Sequence, residues 1–154
     1  PWGRNIVVIG GYSTGCETAE FLTERDNQVT IVSRSPVRDL GKGVISTNRV
    51  EMLVRLRDNP RITILSGHDV KQITTGEVVV VDKQGKDHSL PADWVVIARG
   101  LEPVNEMVGA SRLVGTMPLR LAGLAKEIYT IGDALQPRDI ASAIYEGAVI
   151  GRKI

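Results

Sequence analysis

Two groups of residues in this chain have the types and spacing to do chemistry. The first is Gly10-Gly11-Tyr12-Ser13-Thr14-Gly15, which follows the apolar run Ile6-Val7-Val8-Ile9. Read from Gly11 to Gly15 it is G-x-S-x-G, the turn that presents a nucleophilic serine; Ser13 would then need His88, following Asp69 or Asp82 in the chain, as its base and acid. Read as Gly10, Tyr12 and Gly15 it is G-x-G-x-x-G with the middle glycine replaced, a turn whose free amides receive a pyrophosphate. The second group is Ser33, Arg34 and Arg38 in "VTIVSRSPVR". An acid at the end of this second strand accepts from the ribose hydroxyls of NAD. Its replacement by Ser33 removes repulsion against a 2′-phosphate, and a guanidinium can clamp that phosphate through paired hydrogen bonds.

The elements that must position these residues are legible in the hydrophobic pattern. "NIVVIG" is a continuous apolar run, as in a strand buried on both faces of a parallel sheet. The helix after it aligns Cys16, Ala19 and Leu22, with Glu17 expected in its first turn to offset the helix dipole. Cys16 is expected to pack, and Ser13 to sit at the helix start, where it caps or meets a phosphate. "QVTIVS" is a second strand. Ser46 to Asp58 is a second helix, with Val50, Leu53, Val54 and Leu56 as its apolar side, stopped by Asn59-Pro60. "RITIL" is a third strand. "DVKQI", "EVVVVD" and "KDHSL", separated by Thr75-Gly76 and Gln84-Gly85, read as an antiparallel meander, which makes His88 a strand residue; His68 reads as a turn residue. "DWVVIARG" is one more buried strand. "IYTIGD" is expected as a short strand, and the segment from Arg138 as a helix with Ile140, Ile144 and Ala148 aligned. The strand–turn–helix–strand context favours the pyrophosphate turn over the nucleophile turn, because a hydrolase elbow needs several strands and an oxyanion loop before it.

Composition excludes other classes. The chain has 154 residues, a net charge of +1 and one cysteine. That balance makes no electrostatic case for nucleic acid or an anionic membrane, and no run approaches the length of a spanning helix. One cysteine and two separated histidines do not suffice for a metal or iron–sulfur centre of the chain's own, and they suit a reducing, cytoplasmic setting. The chain opens Pro1-Trp2, as expected of a segment of something longer.

Taken together, "VVIGGYSTGCETAEFL", "VTIV", "ISTNRVEMLVRL", "VVIARG" and "IYTIGDALQPRDIASAIYEGAVIGRKI" resemble the carboxy-terminal part of bacterial NADH:flavin oxidoreductases. These are the large old-yellow-enzyme relatives of the 2,4-dienoyl-CoA reductase, enoate reductase and trimethylamine dehydrogenase type. The most specific block is Thr130 to Asp133, then Pro137-Arg138 and Tyr145-Glu146-Gly147. The resemblance implies an FMN barrel with an iron–sulfur cluster, followed by an NAD(P)-type domain inserted into an FAD-type domain. Residues 1–101 would be the Rossmann-like insert, a three-layer α/β domain with a parallel sheet and a meander. Residues 102–154 would be the return segment of the FAD-type domain. Gly132 and Asp133 match the pair that meets the flavin, and Ala98-Arg99-Gly100 matches a crossover beside the dinucleotide.

The expected partners are the dinucleotide, the flavin-binding barrel and the other half of the FAD domain; the fragment alone is not expected to hold FAD or to catalyse. The expected cofactor is NAD(P)H, with NADPH favoured, held by Gly10, Gly11, Tyr12, Ser13, Thr14, Gly15, Ser33, Arg34, Arg38, Ala98 and Gly100. Tyr12 and Ser33 depart from the family pattern. A domain that holds ADP structurally, as in amine dehydrogenase relatives, therefore stays open beside the redox reading. No residue is assigned a catalytic role.

Overall fold

The protein is described from a computed structural model, which covers residues 2–104 and 127–154. Residues 105–126, which belong to the expected return segment, lie outside the described residues. The chain divides into two compact units at Gly100/Leu101.

The first unit is built on a parallel sheet of order β3-β2-β1-β7. Its strands are β1 (Asn5–Ile9), β2 (Gln28–Ser33), β3 (Ile62–Ser66) and β7 (Trp94–Ile97). In register, Val8 lies beside Ile31 on one side and Val96 on the other. Because successive side chains point to opposite faces, one run of apolar residues serves two cores. Ile6, Val8, Val29 and Ile31 face α1 (Ser13–Thr23) and α2 (Ser46–Asp58), where Cys16, Ala19, Met52 and Leu56 pack on them. Val7, Ile9 and Val32 face the antiparallel meander of β4 (Asp69–Thr74), β5 (Glu77–Val81) and β6 (Asp87–Pro91), against Val78 and Val80. The result is the expected three-layer, Rossmann-like α/β domain, helices over a parallel sheet over a meander. Asn27, fully buried, ties the end of α1 to the start of β1: its amide donates to the Leu22 carbonyl at 2.8 Å and its oxygen accepts from Arg4 N–H at 3.0 Å.

Three local expectations are corrected. The buried residues of α2 are Met52 and Leu56, while Val50 and Val54 are exposed. The inward face carries a polar residue, Arg49, whose guanidinium donates to the carbonyls of Leu40 (2.6 Å) and Arg38. Hydropathy alone therefore places the apolar stripe one residue off. The first turn of α1 contains no acid, because the helix begins at Ser13 and Glu17 falls in its second turn. In the second unit, residues 128–131 form no strand: they have no ladder partner among the described residues. Among its described residues that unit holds the 3₁₀ turn Gly132–Ala134 and α3 (Ile140–Gly151), capped by Asp139, whose carboxylate accepts from Ser142 N–H at 2.7 Å. Ile140 and Ile144 lie on its exposed face, while Gly147 approaches Ile131.

Candidate functional site

The turn between β1 and α1 is shaped by two glycines that no other residue can replace. Gly10 has φ +125°, and a Cβ there would sit 2.1 Å from the Ala98 carbonyl oxygen at the end of β7. A Cβ at Gly15 would sit 2.0 Å from the Gly10 carbonyl, so the helix start lies directly on the strand end. Tyr12, in the middle position, has φ −84° and ψ −173°, ordinary extended backbone that a side chain adopts without strain. It is the N-cap of α1, yet makes no side-chain cap, and it is half exposed.

The amides at this turn are unequally committed. Gly10 N–H donates to the Val32 carbonyl at 2.9 Å, and Ser13 N–H donates to the Lys42 carbonyl at 2.9 Å. Among the described residues no carbonyl or side chain accepts from the N–H groups of Gly11, Tyr12, Thr14 or Gly15. A helix start with free amides and no acid in its first turn is an attractive seat for an anion. The loop after β2 borders it: Gly41 N–H donates to the Gly11 carbonyl at 2.7 Å, and Arg49 holds the loop from α2.

A cavity of about 140 Å³ opens at the carboxyl ends of β1, β2, β3 and β7. Gly10, Gly11 and Tyr12 form one wall, and Ser33, Arg34 and Ser35 another. His68, Asp69 and Val70 come from the β3–β4 turn, and Ala98 and Arg99 follow β7. Ligands of open parallel sheets bind in this kind of crevice. Arg34 is exposed, and its guanidinium has no ion-pair or hydrogen-bond partner among the described residues. Ser33 is 5% exposed and its oxygen accepts from Ser35 N–H at 3.2 Å, so it closes the turn and presents no charge.

Behind His68 stands a second polar group. His68 Nδ1 lies 2.9 Å from the Ser66 carbonyl, and its ring meets His88 edge to face, centroids 5.7 Å apart. His88 Nε2 lies 2.8 Å from Asp82 Oδ2. That hydrogen bond, with N–H donors from Lys86 and Gln84, holds the Asp82 carboxyl down at about 2.

Of the residues singled out in the sequence, Gly10, Gly11, Tyr12, Ser33, Arg34 and Ala98 meet at this cavity. Ser13, Thr14, Gly15, Arg38 and Gly100 do not line it. Ser13 does not cap α1, and its hydroxyl sits beside Gly43, where an added Cβ would meet it at 2.9 Å. No imidazole is hydrogen-bonded to it among the described residues, so the nucleophile reading of G-x-S-x-G has no base. Arg38 lies in the 3₁₀ turn Val37–Asp39 and offers its carbonyl to Arg49. His68 and Asp69 are lining residues that sequence reasoning did not assign to this site, whereas Arg99 was named only as part of the Ala98–Gly100 crossover. The signal available for His68 and Asp69 was their position after a strand end, which becomes a shared edge once strand order is known.

The residues fit one dinucleotide better than they fit a flavin. The cradle that a Cβ at Gly10 or Gly15 would fill, the free amides and the unpaired Arg34 suit a phosphorylated nucleotide. In the second unit, Gly132 N–H is already committed to Glu146 Oε2 at 2.6 Å, and Asp133 Oδ1 accepts from Arg138 N–H at 3.4 Å. Glu146 also pairs with Arg138, and that hydrogen bond, with the Gly132 amide, lowers its carboxyl below the usual glutamate range. These residues do not by themselves form a cradle for a flavin. No group of three or more His, Cys, Asp or Glu among the described residues is placed to hold a metal, and no helix among them is long and apolar enough to cross a membrane.

Comparison with known proteins agrees with this geometry. The family model described as pyridine nucleotide-disulphide oxidoreductase matches residues 1–147. An NADH oxidase of Thermoanaerobacter brockii is 30% identical over 151 residues, covering 98% of this chain and 21% of that protein. A 2-naphthoyl-CoA reductase structure superposes on all of this chain and 22% of its own, with TM-score 0.70 and 25% identity. The histamine dehydrogenase of Rhizobium sp. 4-9 shares the fold at TM-score 0.76 and 23% identity, over 99% of this chain and 22% of that one. The chain thus spans about a fifth of the length of these relatives. It belongs to the pyridine nucleotide-disulphide oxidoreductase family, a family of oxidoreductases that implies NAD(P)H and FAD as cofactors.

Proposed function

From that family membership, we propose that this chain is the nucleotide-binding region of a larger, cytoplasmic flavin-dependent reductase of the NADH:flavin oxidoreductase type, and that its own ligand is NADPH. Residues 1–101 are the NAD(P)-type domain and residues 102–154 the return segment of an FAD-type domain. The barrel with FMN and iron–sulfur cluster, and the remaining FAD-domain half, belong to the parent protein. The observation that carries this reading is the pairing of the free Gly11 and Tyr12 amides with an unpartnered Arg34 across one cavity, the free Thr14 and Gly15 amides continuing the same helix start beside it. Gly11, Tyr12, Thr14 and Gly15 supply amides to the pyrophosphate. Arg34 receives the 2′-phosphate, with Arg38 lending longer-range positive charge, and Ser33 withholds the acid that would repel it. Ser13 holds the bordering loop through its amide, and Ala98 and Gly100 shape the crossover beside the ligand.

When bound, the nicotinamide supplies a hydride for a flavin of the parent protein. The chain's own residues bind and orient; none holds or moves a proton in that step. Gly132 and Asp133 complete the FAD site only beside the other half of that domain.

The test is a calorimetric titration of the chain with NADP+, NAD+ and ADP, beside Arg34→Ala and Tyr12→Gly variants. NADP+ binding that falls about tenfold in Arg34→Ala while NAD+ binding holds supports the reading. Equal affinity for all three ligands, insensitive to Arg34, would instead support an ADP-holding structural domain, the reading that Tyr12 in place of glycine keeps open. Tyr12→Gly is expected to change NADP+ affinity by less than about threefold, because Tyr12 is half exposed and the neighbouring amides are already free.

A further inference from the structure

We infer that His68 is a specificity-determining residue of this site, reading the 2′ position of the bound nucleotide's ribose alongside Arg34 through its Nε2 atom. The inference rests on the nucleotide-binding reading above. His68 lines the same cavity as Ser33, Arg34 and Ser35, and its own N–H donates to the Ser33 carbonyl at 3.1 Å. The β3–β4 turn is thereby fastened to the strand end from which Arg34 departs.

The ring's chemistry follows from its partners. Ser66 offers a carbonyl, which only accepts, so His68 Nδ1 carries a hydrogen at 2.9 Å. Nε2 is therefore the variable atom. With its lone pair it accepts, which suits the 2′-hydroxyl of an unphosphorylated ribose. With a proton it donates and carries positive charge, which suits a 2′-phosphate. One side chain thus favours different nucleotides in its two protonation states.

The ionisable groups around it set the background. Arg34, Arg99 and Asp69 share the cavity. His88 meets the ring from the meander, with Asp82 behind it, and the Lys83 side chain runs over Gly67 beside it. The His88 hydrogen bond and the Lys86 and Gln84 amides hold the Asp82 carboxyl well below the usual carboxylate range, so it stays ionised between about pH 5.5 and about pH 7.5. Its partner His88 is the neighbouring titratable ring, and a proton there opposes a second on His68.

The phosphate's own titration has the opposite sign. Its second ionisation falls near pH 6, so acid weakens its hold on Arg34. In a site without His68, the preference for NADP+ over NAD+ must fall as pH falls. In the native site, protonation of His68 counters that loss.

The experiment is calorimetric titration of the full chain with NADP+ and with NAD+ at about pH 7.5 and about pH 5.5, for the native protein and His68→Gln. The NADP+/NAD+ affinity ratio of the native protein is expected to exceed that of His68→Gln by about tenfold more at the lower pH than at the higher. Parallel ratios in the two proteins would overturn the assignment to His68 while leaving the nucleotide site intact. Absence of binding by either nucleotide to the native protein would overturn the site and this inference together.

A second measurement needs no variant. By linkage, a nucleotide that prefers protonated His68 must raise that ring's titration midpoint, read from its ¹⁵N signals. NADP+ is expected to raise it by about one pH unit and NAD+ to lower it or leave it unmoved. Equal movement with both nucleotides would contradict the assignment.

Discussion

Two glycine turns among the described residues precede a helix, Gly10 before α1 and, at a longer distance, Gly132 before α3, and they end in opposite states. At Gly10, the chain enters α1 with no side-chain cap and no acid in the first turn, and four amides around it have no partner among the described residues. At Gly132, the amide is held by Glu146, and α3 is capped by the Asp139 carboxylate. Both turns have glycine at positive φ, so backbone conformation does not separate them. What separates them is whether the polypeptide has already satisfied the donors that a helix start exposes. A glycine turn becomes an anion seat only where its amides are left free. The surroundings differ too: the first turn is locked between two strand ends, whereas a Cβ added at Gly132 would meet, among the described residues, the Ala143 side chain at 3.6 Å.

The comparison breaks most readily at Gly10. Gly10→Ala places a methyl against the Ala98 carbonyl at positive φ, and Gly15→Ala does the same against the Gly10 carbonyl. Each should lower stability by at least about 3 kcal/mol in urea unfolding monitored by circular dichroism. At Gly132, where an added Cβ would find, among the described residues, Ala143 at 3.6 Å, Gly132→Ala should cost less than half as much.

Arg49 tests the border of the open turn. Arg49→Ala removes the hydrogen bonds to Leu40 and Arg38 and should destabilise the first unit by about 1–2 kcal/mol, with faster amide exchange at Ser13 as the Lys42 carbonyl loosens. Unchanged exchange at Ser13 would show that the loop is held some other way.

Acid should distinguish the turns without mutation. Glu146 has its carboxyl lowered by Arg138 and by the Gly132 amide. A depressed carboxylate contributes stability that is present above its unfolded value and lost as pH falls through its folded one. The protection factor of the Gly132 amide should therefore fall below the ordinary glutamate range. Glu146→Gln should remove most of that pH dependence. The smallest effect is expected of Asp139→Ala, which should speed exchange at Ser142 and leave α1 untouched.

The sequence made the first unit legible because its strands are continuous apolar runs and its glycines stand where steric demand is absolute. Its pattern failed at α2, because an inward arginine, Arg49, breaks the rule that inner faces are apolar. It failed again at residues 128–131, where a β-like composition has no ladder to join among the described residues. Within the site, the Gly10–Gly15 turn and Arg34 were readable because each lies within one short motif. His68 and Asp69 were not, since only the β3-β2-β1-β7 order brings residues so distant in the chain to one edge.

The central claim is that a nucleotide phosphate rests on the amides that open α1. It is tested most directly by adding NADP+ to ¹⁵N-labelled protein and following the amide resonances. Gly11, Thr14 and Gly15 should move together, with saturation, ahead of Gly132 and Ser142. If those three stay in place while NADP+ binds, or if nothing moves at all, the turn is a structural joint and the account is wrong.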